Sequence, residues 1–318
     1  MHIKPTNNKL VKPGIYEIQS GVTSLFLNSV DGSVYNGWCD DALTLGKYPN
    51  RRGKWEIAGV GGGFTIKQVS SGLFCALADG EQFVYQPVVL SSVPTIWTIE
   101  YIDEASETVR IMWSISDICW ETVRSNEEPL AYRKVTMGKP VNGFEILKET
   151  FVWNLCPVGE PDVPEPNVPE PNATRQIKPG LYALQNKVSK TFVMMGPDEK
   201  TLGCWPENAF KDKNTKIWEV TALGDGYAIR LHGTNKYCTL EESIRGDSPI
   251  NVSNFQAAWR IERNHSPVHG DDDYFQLFWS NTNLTWDLSW FGKADPGTLI
   301  KLQYQNRYQE CRLFKFIS

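Results

Sequence analysis

With 318 residues, a net charge of -5 and 12 Trp, 12 Tyr and 14 Phe, the chain is long enough for two aromatic-rich cores, since single cores stop growing near ~250–300 residues. The charge is dispersed rather than gathered into blocks, which argues against a nucleic-acid partner. No run approaches the ~18 apolar residues of a membrane span, and residues 1–10 hold no apolar h-region, so a cytoplasmic protein with no transmembrane helix is expected.

The first strand signal opens at Lys12-Pro13-Gly14-Ile15-Tyr16. Turn residues Asp31-Gly32 and the hairpin tryptophan Trp38 follow, then a basic turn, Asn50-Arg51-Arg52, and a strand led by Trp55. Gly61-Gly62-Gly63 turns the chain into Phe64-Thr65-Ile66-Lys67-Gln68, whose alternation is that of a half-buried strand. The same plan repeats twice more, with openings at Phe64 and Val109 and closures at Trp97 and Phe144.

Residues 157–173 double a Val-Pro-Glu-Pro-Asn unit and offer few amide donors and little apolar mass, which predicts an extended, semi-rigid spacer. Beyond it the chain copies itself: Lys178-Pro179-Gly180-Leu181-Tyr182 repeats the opening motif, and Trp218-Glu219 repeats Trp55-Glu56. Strands open at Tyr182, Tyr227 and Tyr274 and close at Trp218, Trp259 and Phe314. The predicted domains are therefore 1–156 and 174–318, each of three lobes of four short strands.

Six lobes of ~45 residues also fit the repeat length of a propeller. Two features exclude that arrangement: the Lys-Pro-Gly opening occurs only in lobes one and four, and the spacer follows lobe three. One lobe cannot bury its apolar face alone, whereas three closing on each other can. The fold class is all-β, two tandem β-trefoil domains.

Signals for catalysis are weak. Gly61-Gly62-Gly63 leads into a strand and lacks the Lys-Ser/Thr of a phosphate loop, and no Gly-x-Ser-x-Gly elbow occurs. His265 and His269 have helical metal-ligand spacing, but Pro267 between them disfavours a helix. The seven cysteines are widely spaced without a CxxC pair, which predicts free buried thiols rather than disulfides or zinc. The expectation is a non-enzyme with no cofactor and no metal.

The runs 179–186, Gly203-Cys204-Trp205-Pro206-Glu207-Asn208, Lys216-Ile217-Trp218-Glu219-Val220 and 225–230 resemble the fungal ricin-B-like β-trefoil group. That group includes mushroom lectins and the mycocypin-type trefoil protease inhibitors. The resemblance implies sugar sites made of an Asp after the second strand, a stacking aromatic in the next hairpin and a downstream amide, types that suit sugar hydroxyls and a pyranose face. On these positions the last lobe matches best: Asp287 as the acceptor, Trp290 or Tyr304 as the stacking ring, and Lys301, Gln303 and Asn306 as hydrogen-bonding neighbours. Trp120-Glu121 stands at the same point of the first half, and the opening lobes offer Trp38, and Trp205 with Asn208. The Gln-x-Trp triplet of ricin-type lobes keeps its Trp here but loses its Gln, at Gly53-Lys54-Trp55, Thr95-Ile96-Trp97, Lys216-Ile217-Trp218 and Ala257-Ala258-Trp259.

Glycan binding is thus the leading expectation, with two domains on a spacer offering bivalence, which can raise avidity ~10²–10⁴-fold. The alternative implied by the same resemblance is a protease inhibitor. Its candidate loop is Asn50, Arg51 and Arg52, whose arginines suit a trypsin-like pocket.

Overall fold

The computed structural model describes residues 11–29, 43–46, 53–78, 86–102, 108–113, 118–122, 135–139, 149–158, 176–210, 213–240, 244–264, 273–306 and 309–318. The chain divides into two compact units, Met1–Pro169 and Glu170–Ser318. Each carries one twelve-stranded antiparallel sheet.

In the first unit six strands close a ring. β1 (Gly14–Ser20) pairs with β4 (Lys54–Val60), β4 with β5 (Gly63–Gln68), and β5 with β8 (Trp97–Tyr101). β8 then pairs with β9 (Thr108–Trp113), β9 with β12 (Trp153–Pro157), and β12 returns to β1. The other six strands form three cap hairpins: β2 (Phe26–Ser29) with β3 (Leu43–Gly46), β6 (Phe74–Leu77) with β7 (Val88–Ser91), and β10 (Cys119–Thr122) with β11 (Val135–Gly138). A closed barrel capped by three hairpins is the β-trefoil.

The second unit repeats the plan. Its ring runs β13 (Gly180–Asn186), β16 (Ile217–Leu223), β17 (Gly226–Leu231), β20 (Trp259–Arg263), β21 (Tyr274–Trp279), β24 (Phe314–Ile317) and back to β13. The hairpins are β14 (Phe192–Met195) with β15 (Leu202–Trp205), β18 (Tyr237–Thr239) with β19 (Asn251–Ser253), and β22 (Leu284–Leu288) with β23 (Thr298–Tyr304). The third lobe of the first unit closes on Trp153 in β12; Phe144, expected in that role, lies outside the described residues.

The repeated opening motif has a direct physical cause. The Tyr16 hydroxyl donates to the Lys12 carbonyl at 2.7 Å, and Tyr182 donates to Lys178 at 2.8 Å. In both copies the glycine leaves room for the ring, since an added Cβ would stand 3.4 Å from the tyrosine Cε2.

The closing tryptophans do more than fill the core. Trp55 donates its indole N–H to the carbonyl of Leu27 in β2, Trp97 to Cys75 in β6, and Trp153 to Trp120 in β10, at 3.3, 3.1 and 3.3 Å. Trp218 and Trp259 do the same to Val193 in β14 and Cys238 in β18, both at 2.9 Å. Each bond ties the barrel to the cap hairpin of its own lobe.

Replacing Trp218 with Phe keeps an aromatic ring but strips the Val193 carbonyl of its buried donor. A loss of about 1–3 kcal/mol is expected, read as a lower urea midpoint with circular dichroism unchanged in native buffer.

Candidate functional site

The β22–β23 hairpin carries most of the residues expected to bind sugar. Its register sets Leu284 opposite Tyr304, Thr285 opposite Gln303, Trp286 opposite Leu302 and Asp287 opposite Lys301. Trp286 and Leu302 are fully buried. The Trp286 ring meets Trp259 and Phe314 edge-on, at 5.3 and 5.8 Å between centroids.

Asp287 does not have the open carboxylate that sugar hydroxyls need. The Arg312 Nε donates to its Oδ2 at 2.5 Å, and the two side chains are only 7% and 12% exposed for Arg312 and Asp287. Arg312 Nη1 also donates to the Tyr304 carbonyl, so one guanidinium bridges both strands of the hairpin. The neighbouring Cys311 thiol lies 3.7 Å from the same carboxylate oxygen. Burial first, then the Asp287 charge, pushes that thiol up to about 12. Asp287 is a structural anchor.

The matching pair in the first unit is also internal. Trp120 is fully buried between Trp97 and Trp153, with ring centroids at 5.1 and 5.9 Å, and cannot stack on a ligand. The Glu121 carboxylate takes the space beside Gly138 and hydrogen-bonds Thr150. Phe151 stands two residues before Trp153, as Arg312 stands two before Phe314, and supplies no countercharge. Burial accordingly raises the Glu121 carboxyl above its ordinary value.

Trp205 likewise belongs to a core. It packs with Ala183, Phe192 and Met194 and meets Phe210 at 5.6 Å. Asn208 is exposed in the turn closed by the Ala209 N–H on Pro206 O at 3.0 Å. Trp38, Asn50, Arg51 and Arg52 lie outside the described residues, as do His265 and His269.

Trp290 and Tyr304 do not converge. Trp290 sits in the turn that joins β22 to β23, whereas Tyr304 stands at the far end of the hairpin, opposite Leu284. Four residues of strand separate these ends, at least ~13 Å. Lys301, midway between them, is half-buried and bridges Pro249.

The Tyr304 end is where expected residues meet one that sequence reasoning missed. The segment 247–249 runs along β23, with the Asp247 N–H on Leu302 O and the Leu302 N–H on Ser248 O, both at 2.8 Å. This places the exposed Asp247 carboxylate beside Gln303, whose Nε2 donates to Asp247 Oδ1 at 2.6 Å. Tyr304 is 47% exposed, and its ring lies over Gly246, where an added Cβ would stand 3.4 Å from Cε2. Asn306 is exposed two residues on, its carbonyl accepting the Gln309 N–H at 3.2 Å. A flat aromatic face, a carboxylate with acceptor capacity beyond the Gln303 bond and a fixed amide are thus grouped on one surface.

In register, Cys119 faces Gly138 as Thr285 faces Gln303, so the first unit carries Gly138 and Lys139 where the second has Gln303 and Tyr304. Among the described residues the grouping occurs in the C-terminal domain. The cysteines at 75, 204, 238 and 311 are free; those at 75, 204 and 238 are fully buried, which raises their thiols and keeps them protonated.

The fold defines the class: a tandem β-trefoil protein. No family model and no curated protein matches the sequence. Among solved structures, the chain is similar to the Macrolepiota procera ricin B-like lectin in complex with lactose, at 18% identity over 44% of this chain and 96% of that one, with a TM-score of 0.40. It is also similar to the Rhizoctonia solani agglutinin, at 15% identity over 45% and 96% of the two chains and a TM-score of 0.38. A proteinase inhibitor from Coprinopsis cinerea matches at 13% identity over 47% and 100%, with a TM-score of 0.36.

Three substitutions test the two acids. Removing one partner of a buried ion pair strands the other charge, so Arg312→Met is expected to cost about 3–5 kcal/mol in urea denaturation, and Asp287→Leu combined with it to recover most of that loss. Glu121 makes folding stability depend on pH. Its raised carboxyl is neutral in folded and unfolded chains in acid; as pH climbs, the unfolded chain ionises first and folding stability falls until the folded carboxyl ionises too. Glu121→Gln should therefore raise the thermal midpoint at neutral pH, with the gain vanishing below about pH 4.

Proposed function

We propose that the chain is a carbohydrate-binding protein that acts by binding rather than catalysis, with its site at the Asp247–Gln303–Tyr304 surface of the C-terminal domain. One observation carries this reading: the half-exposed Tyr304 ring stands beside an exposed carboxylate that Gln303 fixes at 2.6 Å. The ring offers the apolar face on which a pyranose stacks, while Asp247 accepts sugar hydroxyl protons and the Gln303 amide holds that acceptor in place. Asn306 adds polar reach at the rim.

The site lies on a strand braced by Arg312 and by the 247–249 segment, so little side-chain order is lost on docking. Because the first unit carries Gly138 and Lys139 in place of the amide and the ring, the proposed binding is monovalent at this surface. The free thiols suit a reducing compartment, in keeping with the cytoplasmic location expected from the sequence.

A glycan array probed with the intact protein tests the proposal. Saturable binding is expected, weakened about tenfold or more by Tyr304→Ala and by Asp247→Asn. Absence of any glycan signal, or affinity unchanged in both variants, contradicts it. Stoichiometric inhibition of trypsin or papain without glycan binding would replace it with the inhibitor reading.

A further inference from the structure

At the other end of the same hairpin the chain exposes two adjacent aromatic rings. Trp290 is 79% exposed and Phe291 is 81% exposed. Both hold left-handed backbone, with φ 57° and 55°, a conformation that L-residues other than glycine seldom adopt. Strain of this kind persists only where the surroundings impose it. Here Gly292 imposes it: its φ is +81°, and an added Cβ would stand 2.9 Å from Val188 Cβ and 3.2 Å from Cys311 Cβ. The tip is seated on the turn that Asp287 and Arg312 anchor.

The seat is itself amphipathic. Val188 is 42% exposed and lies between Lys187 and Lys190. The ammonium groups of Lys187, Lys190 and Lys315 surround one ring, 5.2, 5.9 and 5.9 Å from the Tyr274 centroid. Glu310 pairs with Lys187 at 3.1 Å and Asp273 with Lys315 at 3.2 Å, so among the described residues three cations face two carboxylates. The Asp273–Lys315 pair is exposed on both sides, and such pairs are weak, so Lys315 exchanges partners readily; the Lys187 side chain is only 11% exposed and stays with Glu310.

We infer that the Trp290–Phe291 tip docks the C-terminal domain on an anionic lipid surface, with Lys190 and Lys315 facing the headgroups. A convex pair of rings has no flat complement. The bilayer interface accommodates it, burying the rings while the indole N–H finds an acceptor at headgroup level. The neighbouring ammonium groups then meet lipid phosphate and carboxylate, a contact that salt screens. The Tyr304 surface stands at the opposite end of the hairpin, so this docking is independent of glycan binding.

Vesicle co-sedimentation of the intact protein tests the inference, using phosphatidylcholine vesicles with and without phosphatidylserine. Sedimentation is expected with the serine-containing vesicles and is expected to fall as salt rises. Trp290→Asn with Phe291→Asn should reduce it about tenfold or more, with the thermal midpoint kept or raised, because Asn tolerates left-handed backbone. Lys190→Glu should also weaken it, and Tyr304→Ala should not. The inference is overturned if the protein stays in the supernatant with both vesicles or if the double variant sediments like the parent. A dimer in solution that the double variant dissociates, without vesicle binding, would assign the tip to a second copy and also overturn it.

Discussion

One hydrogen bond organises five of the six lobes: an indole N–H from the closing barrel strand reaches a main-chain carbonyl in the cap hairpin. Five tryptophans make it, Trp55, Trp97, Trp153, Trp218 and Trp259. The acceptors are buried, so an unmade bond carries a desolvation cost as well as a lost contact. The hairpins therefore close on the barrel with defined register rather than sliding over it. Volume alone would accept Phe or Leu at these places.

The sixth lobe shows what the constraint demands when the indole is missing. Phe314 has no N–H to give, and in that lobe the Arg312 guanidinium takes over, joined to Asp287 on β22 and to the Tyr304 carbonyl on β23. This clamp grips both hairpin strands, whereas the indole grips one. Its consequences run outward in two directions. Toward the strand end it steadies Tyr304 beside Asp247 and Gln303. Toward the turn it fixes Cys311, on which Gly292 and the strained aromatic tip are seated.

Much of the architecture was legible in the residues. The doubled Lys-Pro-Gly-x-Tyr motif marked the start of each domain because its tyrosine hydroxyl bonds four residues back, a local interaction that leaves a local signature. The retained tryptophans of the triplets marked the closing strands by recurring at the same point of their lobes, although the carbonyls they bond lie 21–28 residues away. The sites were less legible because their partners are distant: Arg312 lies 25 residues from Asp287, and Gln303 lies 56 from Asp247. Extending the triplet to the last lobe, where it reads Arg312-Leu313-Phe314, would have flagged the guanidinium at the missing Gln position. Trp120 misled because a tryptophan beside an acid has the composition of a sugar site, while strand alternation turns the indole into the core.

The two copies have thus diverged in their third lobes, one keeping an indole clamp and a half-buried Glu121, the other an ion pair and two exposed surfaces. The clamp is the claim on which this account rests. Hydrogen exchange of the indole protons, followed by nuclear magnetic resonance on the intact protein, tests it most directly. The account predicts that the indole protons of Trp55, Trp97, Trp153, Trp218 and Trp259 exchange only with unfolding of their domain, while that of exposed Trp290 exchanges at once. Indole protons at those five positions exchanging as fast as Trp290 would contradict it.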